Sequence, residues 1–161
     1  MEEFENIYNK YYKYVKQYVI SLCFDDIIAE DITQEAFLKA FEKADKFKGD
    51  SKIETWLCAI AKNIFLSYKR RKKEESIDNY EYLTSGFTVE NDSEDRETAK
   101  RILRILMSMK SPQKDVFYMR AMGEMPFDVI SQIFGKTESW ARVTYYRAKK
   151  EIIERIGEND E

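Results

Sequence analysis

Apolar residues recur along most of this chain at spacings of three and four. Phe4, Ile7, Tyr8, Tyr11, Val15, Tyr18, Val19 and Leu22 form one such stripe and predict a helix over Phe4–Phe24. Asp25 and Asp26 interrupt it. Ile28, Ile32, Ala36, Phe37, Ala40 and Phe41 predict a second helix over Ile27–Ala44. A polar loop with one glycine, Phe47-Lys48-Gly49-Asp50-Ser51, follows, and Asp50 or Ser51 can cap the next helix. That third helix is predicted over Ile53–Arg71, with Trp56, Leu57, Ile60, Ala61, Ile64, Phe65 and Tyr68 on one side. The run Lys69-Arg70-Arg71-Lys72-Lys73 ends it.

The periodicity then stops for residues 74–95 and resumes in Thr98–Lys110 with Ile102, Ile105, Leu106 and Met109. Ser111 reads as a cap with Pro112 in the first turn of a helix over Pro112–Met122, which carries Val116, Phe117 and Met119. Gly123-Glu124-Met125 is a turn. Phe127–Phe134 is a short helix with Ile130, Ile133 and Phe134, and Gly135 is placed to stop it in a left-handed conformation. Thr137 can cap a last helix in which Ala141, Tyr145, Ala148 and Ile152 make a buried stripe. The expected fold is all-α: two small helical domains, residues 1–73 and 96–161, joined by an acidic flexible linker, residues 74–95. Those 22 linker residues span on the order of 70–80 Å fully stretched, or ~25 Å as a flexible coil.

The last two helices form a helix–turn–helix whose second member leaves Arg142, Tyr146, Arg147, Lys149 and Lys150 off the buried stripe. A basic helix after a tight turn is the shape that enters a DNA major groove. Early positions, Glu138, Ser139, Arg142 and Val143, would meet base edges, and Arg147, Lys149 and Lys150 would meet phosphates. The overall net charge of −3 does not oppose this, because it averages unlike segments. Residues 1–73 carry +2, residues 74–95 carry −8, residues 96–153 carry +6 and residues 154–161 carry −3.

The chain has no histidine, which removes the commonest general base and the commonest zinc ligand. Its two cysteines, Cys23 and Cys58, are too few for a disulfide framework and read as buried thiols of a reducing compartment. No apolar run is long enough to span a bilayer, and the acidic amphipathic start is unlike a signal peptide.

Two further groups of residues stand out. Asp31, Gln34, Glu35 and Leu38 lie at i, i+3, i+4 and i+7, a polar-edged helix face. The acids lack a metal-binding loop pattern, so no metal is expected. The face fits a solvated surface or a partner-binding one. Phe47 and Trp56 flank the loop Lys48–Ser51, with Lys62, Asn63, Lys69, Arg70 and Arg71 beyond it. Aromatic and basic groups beside such a loop can hold an unstacked base, although Trp56 equally suits a core. The residues alone leave open a stand-alone operator-binding regulator and an adaptor that never meets DNA.

Together and in this order, these groups resemble the extracytoplasmic-function subgroup of the sigma-70 family of bacterial transcription initiation factors. The stretch AEDITQEAFLKAFEKADKFKGDSKIETWLCAIAKN is similar to the family's region 2 pattern DxxQExFL…F…FxGDS…TWLxxIAxN. SPQKDVFYMRAMGEMPFDVISQIFGKTESWARVTYYRAKKEI resembles region 4. The resemblance implies a cytoplasmic initiation factor that is not an enzyme and uses no cofactor or small-molecule substrate. It implies three partners: core RNA polymerase, promoter DNA as duplex and as melted strand, and a membrane-anchored anti-sigma factor.

The resemblance also assigns roles. Asp31, Gln34, Glu35 and Leu38 match the face that docks on the polymerase clamp. Phe47, Lys48, Asp50, Ser51, Trp56, Lys62 and Asn63 match the loop and helix that capture flipped bases of the −10 element. Lys69, Arg70 and Arg71 would lie near upstream duplex phosphates. Glu138, Ser139, Arg142, Val143, Thr144, Tyr146, Arg147, Lys149 and Lys150 match the −35 recognition helix. The chain departs from the pattern at Glu54, at Ser111 and at the pair Val143-Thr144.

Overall fold

The computed structural model describes residues 2–72 and 93–159, and every regular element among them is helical. We number the α-helices α1 Glu2–Cys23, α2 Asp26–Glu42, α3 Ile53–Lys72, α4 Ser93–Ser108, α5 Gln113–Ala121, α6 Phe127–Phe134 and α7 Glu138–Asn159. A single 3-10 turn, Ala44–Lys46, follows α2.

Local chemistry sets the helix ends. The Asp25 carboxylate accepts from the backbone N–H of Ile27 at 2.9 Å and of Ile28 at 3.0 Å, which caps α2. Phe24, just before it, takes φ 53°, and this left-handed residue breaks α1 from α2. Gly135 adopts φ 64° at the end of α6, and the N–H of Lys136 reaches back to the Ser131 carbonyl at 2.8 Å. The Thr137 hydroxyl accepts from the Trp140 N–H at 3.1 Å and caps α7. The Gly135 stop and the Thr137 cap match the turn chemistry expected from the sequence, and the Asp25 cap gives the expected interruption its form.

Several boundaries differ from expectation: α1 starts at Glu2, and Ala44, expected in α2, lies in the 3-10 turn. Helix α4 begins at Ser93 rather than Thr98, so residues 93–95 of the expected linker are helical. Glu94 and Asp95 fall in the first turn, where their charge complements the helix dipole. The remainder of the expected linker lies outside the described residues. Pro112 occupies the cap position of α5, and the Ser111 side chain hydrogen-bonds to the Asp115 carboxyl instead of capping the helix.

Helices α1, α2 and α3 pack mutually around Val15, Val19, Ile32, Ala36, Phe37, Leu57, Ala61 and Ile64. Phe41, expected inside, is half exposed at the end of α2 with its ring edge against Phe4. In the second half, α4, α5 and α7 enclose Leu103, Leu106, Met109, Phe117, Tyr118, Ala148 and Ile152.

The two helical domains pack against each other in this structure. Helix α5 packs on α1 and α6 packs on α3, so Val116, Met119, Met125, Ile130 and Ile133 join the core of the first half. Phe24 crosses the other way. Its ring lies in the second half's core, edge-on to Tyr118 at 5.6 Å, with the Lys114 ammonium 5.5 Å from its centroid. Tyr18 meets Phe134 at 5.9 Å between ring centroids.

One polar contact sits inside this junction. The Ser21 hydroxyl of α1 donates to the Asp115 carboxylate of α5 at 3.3 Å, and both side chains are buried. Burial raises the Asp115 carboxyl above the ordinary aspartate range, and the Ser111 and Ser21 hydroxyls with the charges of Lys114 and Lys62 offset this only in part. An acid whose folded pKa is raised loses stability as pH climbs through the unfolded carboxyl's range toward its own. Below that range both states are protonated and the penalty vanishes. Asp115→Asn is therefore expected to melt higher than the parent at neutral pH, with the gap closing in acid. Thermal melts at both conditions check this, and a lower melting temperature at neutral pH would show that the hydrogen bonds outweigh the burial cost.

Candidate nucleic-acid and polymerase interface

Helix α7 buries a stripe made of Ala141, Thr144, Ala148 and Ile152, with Tyr145 half-buried beside it. Tyr145 is fixed by stacking on Phe117 at 5.5 Å and by an edge contact with Phe127 at 5.6 Å. The stripe dictates what faces outward. Glu138, Ser139, Arg142, Val143, Tyr146, Arg147, Lys149 and Lys150 are all exposed. Thr144 is the exception among the expected −35 contacts. It is only 7% exposed, because it stands three residues after Ala141 and four before Ala148 and so completes the buried stripe. In this structure it is a packing residue.

Arg142 is held in place. Its guanidinium donates to Glu138 at 2.6 Å, one helical turn earlier, and lies 5.4 Å from the centre of the Phe127 ring. Arg120 approaches the same ring at 4.5 Å and donates to the Met125 carbonyl at 3.0 Å. Sequence reasoning missed Arg120, since it lies on α5, outside the recognition helix, and only the folded turn brings it beside Arg142.

In the first half, the Phe47 and Trp56 rings pack at 4.9 Å and wall one side of the loop Lys48–Ser51. Both rings are half-buried, and Trp56 also backs onto the core, so it serves packing and surface at once. Lys48, Asp50 and Ser51 are exposed, and Gly49 takes φ 75°, a conformation an L side chain rarely adopts. Lys62 and Asn63 are exposed midway along α3, and Lys69, Arg70 and Arg71 are exposed at its end. At 1.5 Å per residue the aromatic wall and the basic end stand ~20 Å apart.

The α2 face is intact. Asp31, Gln34, Glu35 and Leu38 are exposed, and Leu38 is 60% exposed. Glu35 pairs with Lys39 at 3.3 Å. Ile27, 63% exposed, and Phe41 extend the same surface. Both were read from the sequence as ordinary helix residues or core, because an apolar residue carries no mark of which side of a helix is covered.

Behind this face Glu30 is a hub. Lys16 reaches it at 2.8 Å, Gln34 donates to it at 2.9 Å, and the Tyr12 hydroxyl also donates to it. The hydrogen bonds from Lys16, Tyr12 and Gln34 hold its carboxyl down at about 2. Gln34 is thus an oriented side chain, whereas Asp31 is not tied into this hub.

Among the described residues no group of His, Cys, Asp and Glu is placed to hold a metal ion, and no helix is long and apolar enough to cross a membrane. Burial raises both thiols, Cys58 and Cys23, the latter to about 11, which leaves neither as a thiolate near neutral pH.

The family profile for Sigma-70 region 2 matches residues 7–75, and that for Sigma-70, region 4 matches residues 99–152. The chain is 27% identical over 156 residues to the RNA polymerase sigma factor YlaC of Bacillus subtilis (strain 168), covering 94% of this chain and 90% of that protein. It is 24% identical to the ECF RNA polymerase sigma factor SigM of the same organism, covering 98% of each. The ECF RNA polymerase sigma-E factor of Escherichia coli (strain K12) is 27% identical, over 78% of this chain and 72% of that protein. Among solved structures, the sigma factor RpoE in complex with the anti-sigma factor NepR from Bartonella quintana has a similar fold. The TM-score is 0.62, with 20% identity and 98% of each chain covered.

The Glu30 hub makes a pH-dependent contribution at the α2 face. An acid whose folded pKa is depressed gives stability that is full above its unfolded value and is lost as pH falls toward the folded one. The loss is expected between the ordinary value of 4.5 and about 2. Glu30→Gln should lower the melting temperature at neutral pH and flatten the acid limb in that window, so that the two curves converge toward its lower end. Melting temperatures recorded across it test this, and parallel curves for both proteins would remove the hub's role.

Proposed function

Since the chain belongs to the sigma-70 family of RNA polymerase sigma factors, in its extracytoplasmic-function type, we propose that it engages polymerase through α2 and promoter DNA through α3 and α7. Sigma factors are transcription initiation factors: they direct polymerase and catalyse no reaction of their own. The polymerase contact is the face of Asp31, Gln34, Glu35 and Leu38, widened by Ile27 and Phe41. Its apolar residues are exposed beside acids, a pattern suited to a protein partner with basic groups around an apolar seat.

Residues 1–73 form the region 2-like part, 74–92 the linker and 93–161 the region 4-like part, which begins with α4. The wall of Phe47 and Trp56 with Lys48, Asp50, Ser51, Lys62 and Asn63 takes melted −10 bases. Lys69, Arg70 and Arg71, ~20 Å further along α3, meet phosphates of the adjoining duplex. Helix α7 reads the −35 element through Ser139, Arg142, Val143 and Tyr146, with Glu138 orienting Arg142, and Arg147, Lys149 and Lys150 hold the backbone. The regulating partner is an anti-sigma factor, by analogy with the complex of the Bartonella protein. Its membrane anchoring and the chain's place in the cytoplasm belong to the same reading.

The observation that carries the reading is the division of α7 into a buried apolar stripe and a wholly exposed stripe rich in arginine and lysine, directly after a left-handed glycine turn. Two substitutions test it. Asp31→Arg should abolish co-purification with core polymerase without altering the helical circular dichroism. Arg142→Ala should cost ~1–3 kcal/mol at one base pair of the upstream element, read as relaxed selection there in transcription from a randomised promoter library.

The reading has a mechanical consequence. Elements named −10 and −35 lie about 25 base pairs apart, ~85 Å at 3.4 Å per pair. With α6 packed on α3 and α7 beginning just after α6, at Glu138, α3 and α7 are too close to serve both elements at once, so the halves part on the promoter. Ser21 and Asp115 offer a reversible lock. In a background of Cys23→Ser and Cys58→Ala, the pair Ser21→Cys and Asp115→Cys is expected to lose promoter-directed transcription when oxidised and regain it on reduction. Full activity of the cross-linked protein would rule the opening out.

A further inference from the structure

The exposed stripe of α7 has an uneven chemistry. Ser139, Arg142, Arg147 and Lys150 offer hydroxyl, guanidinium and ammonium groups, but its centre is apolar. Val143 is 45% exposed and Tyr146, one turn on, is 58% exposed. Tyr146 is braced edge-on by Tyr145 at 5.3 Å, and Tyr145 is itself stacked on Phe117. Val143 is β-branched and holds essentially one rotamer in a helix. Both therefore present fixed apolar surface between the arginines.

The floor of the major groove has only one apolar feature. Guanine, cytosine and adenine expose acceptors and amino donors there, while thymine adds a C5-methyl group. An isopropyl group pressed on N7, O6 or an amino group strips water from a polar atom and returns no hydrogen bond. Pressed on a methyl, it buries apolar surface on both sides.

On the reading of α7 as the −35 helix, we propose that Val143, walled by the Tyr146 ring, selects a thymine by its C5-methyl. The recognised group is the methyl itself and not the thymine O4. A cytosine carrying a C5-methyl presents the same group, and it provides the control that separates the methyl from the base.

The test uses the full chain with core polymerase on the upstream element enriched from a randomised promoter library. Each thymine of that element is replaced singly by deoxyuridine, which lacks only the methyl. At one thymine, open-complex formation should fall about fourfold, the effect of burying one methyl. At that position 5-methylcytosine should outperform cytosine by a similar factor. In Val143→Ser the uracil and thymine templates should become equal, and Val143→Thr, which keeps one methyl, should fall between. Uracil matching thymine at every position, or a penalty that persists unchanged in Val143→Ser, overturns the assignment while leaving the −35 reading standing. A library that enriches no upstream element overturns both.

Discussion

The register of α7 is the constraint from which the working surfaces follow. Ala141, Thr144, Ala148 and Ile152 are close to fully buried, and two of the four are alanines that let α7 lie near its neighbours. A rotation of one residue, about 100° on a helix, would exchange Thr144 for Val143 inside and turn Arg147 into the buried place of Ala148. Tyr145 resists that rotation, being stacked on Phe117 and edged by Phe127. Gly135 and Thr137 set where the helix starts, so the turn and the core specify one register between them. Which side chains meet a groove is thus decided by packing, before any contact with DNA.

The same packing couples the two halves. Phe24, at its left-handed φ, is the last residue of the first half's leading helix region, yet its ring belongs to the second half's core. Ile130 and Ile133 do the reverse from α6. An interface built this way is mostly apolar, with Ser21 and Asp115 as its polar centre. A buried carboxyl with incomplete compensation weakens an interface relative to a hydrocarbon of the same shape. On the proposed opening, that composition suits the junction, since its apolar area holds the halves while the acid limits how tightly.

Much of this was legible in the chain itself. The helices, the Gly135 stop, the Thr137 cap and the core stripe of α7 follow from spacing and turn chemistry, which are local. What was not legible is non-local. Thr144 looked like a surface residue because threonine carries no signal of burial, and its neighbours at three and four residues were the better guide. Ile27 and Phe41 looked ordinary because periodicity reports an apolar stripe but not a second one left uncovered. Arg120 has no motif, and it matters only because a fold brings α5 beside Phe127. The junction between halves was invisible because each half reads as self-sufficient, and nothing in a spacing pattern says that two cores are shared.

The two working faces differ in the sign of the charge around an apolar centre. On α2 the exposed Ile27, Leu38 and Phe41 have Asp31 and Glu35 beside them, and on α7 Val143 and Tyr146 have Arg142, Arg147 and Lys150. Each face also carries ion pairs a helical turn apart, Glu35 with Lys39 on α2, and Glu138 with Arg142 and Lys150 with Glu154 on α7. Exposed pairs of this kind contribute ~0–1 kcal/mol, too little to hold a side chain against a competing partner. Their effect is on orientation. Glu138 sits in the first turn, where the helix dipole favours an anion, and from there it keeps the Arg142 guanidinium over Phe127 instead of sweeping through solvent. A base edge or phosphate that replaces Glu138 displaces a weak contact and meets a guanidinium already placed, so the ordering cost falls on folding and not on recognition.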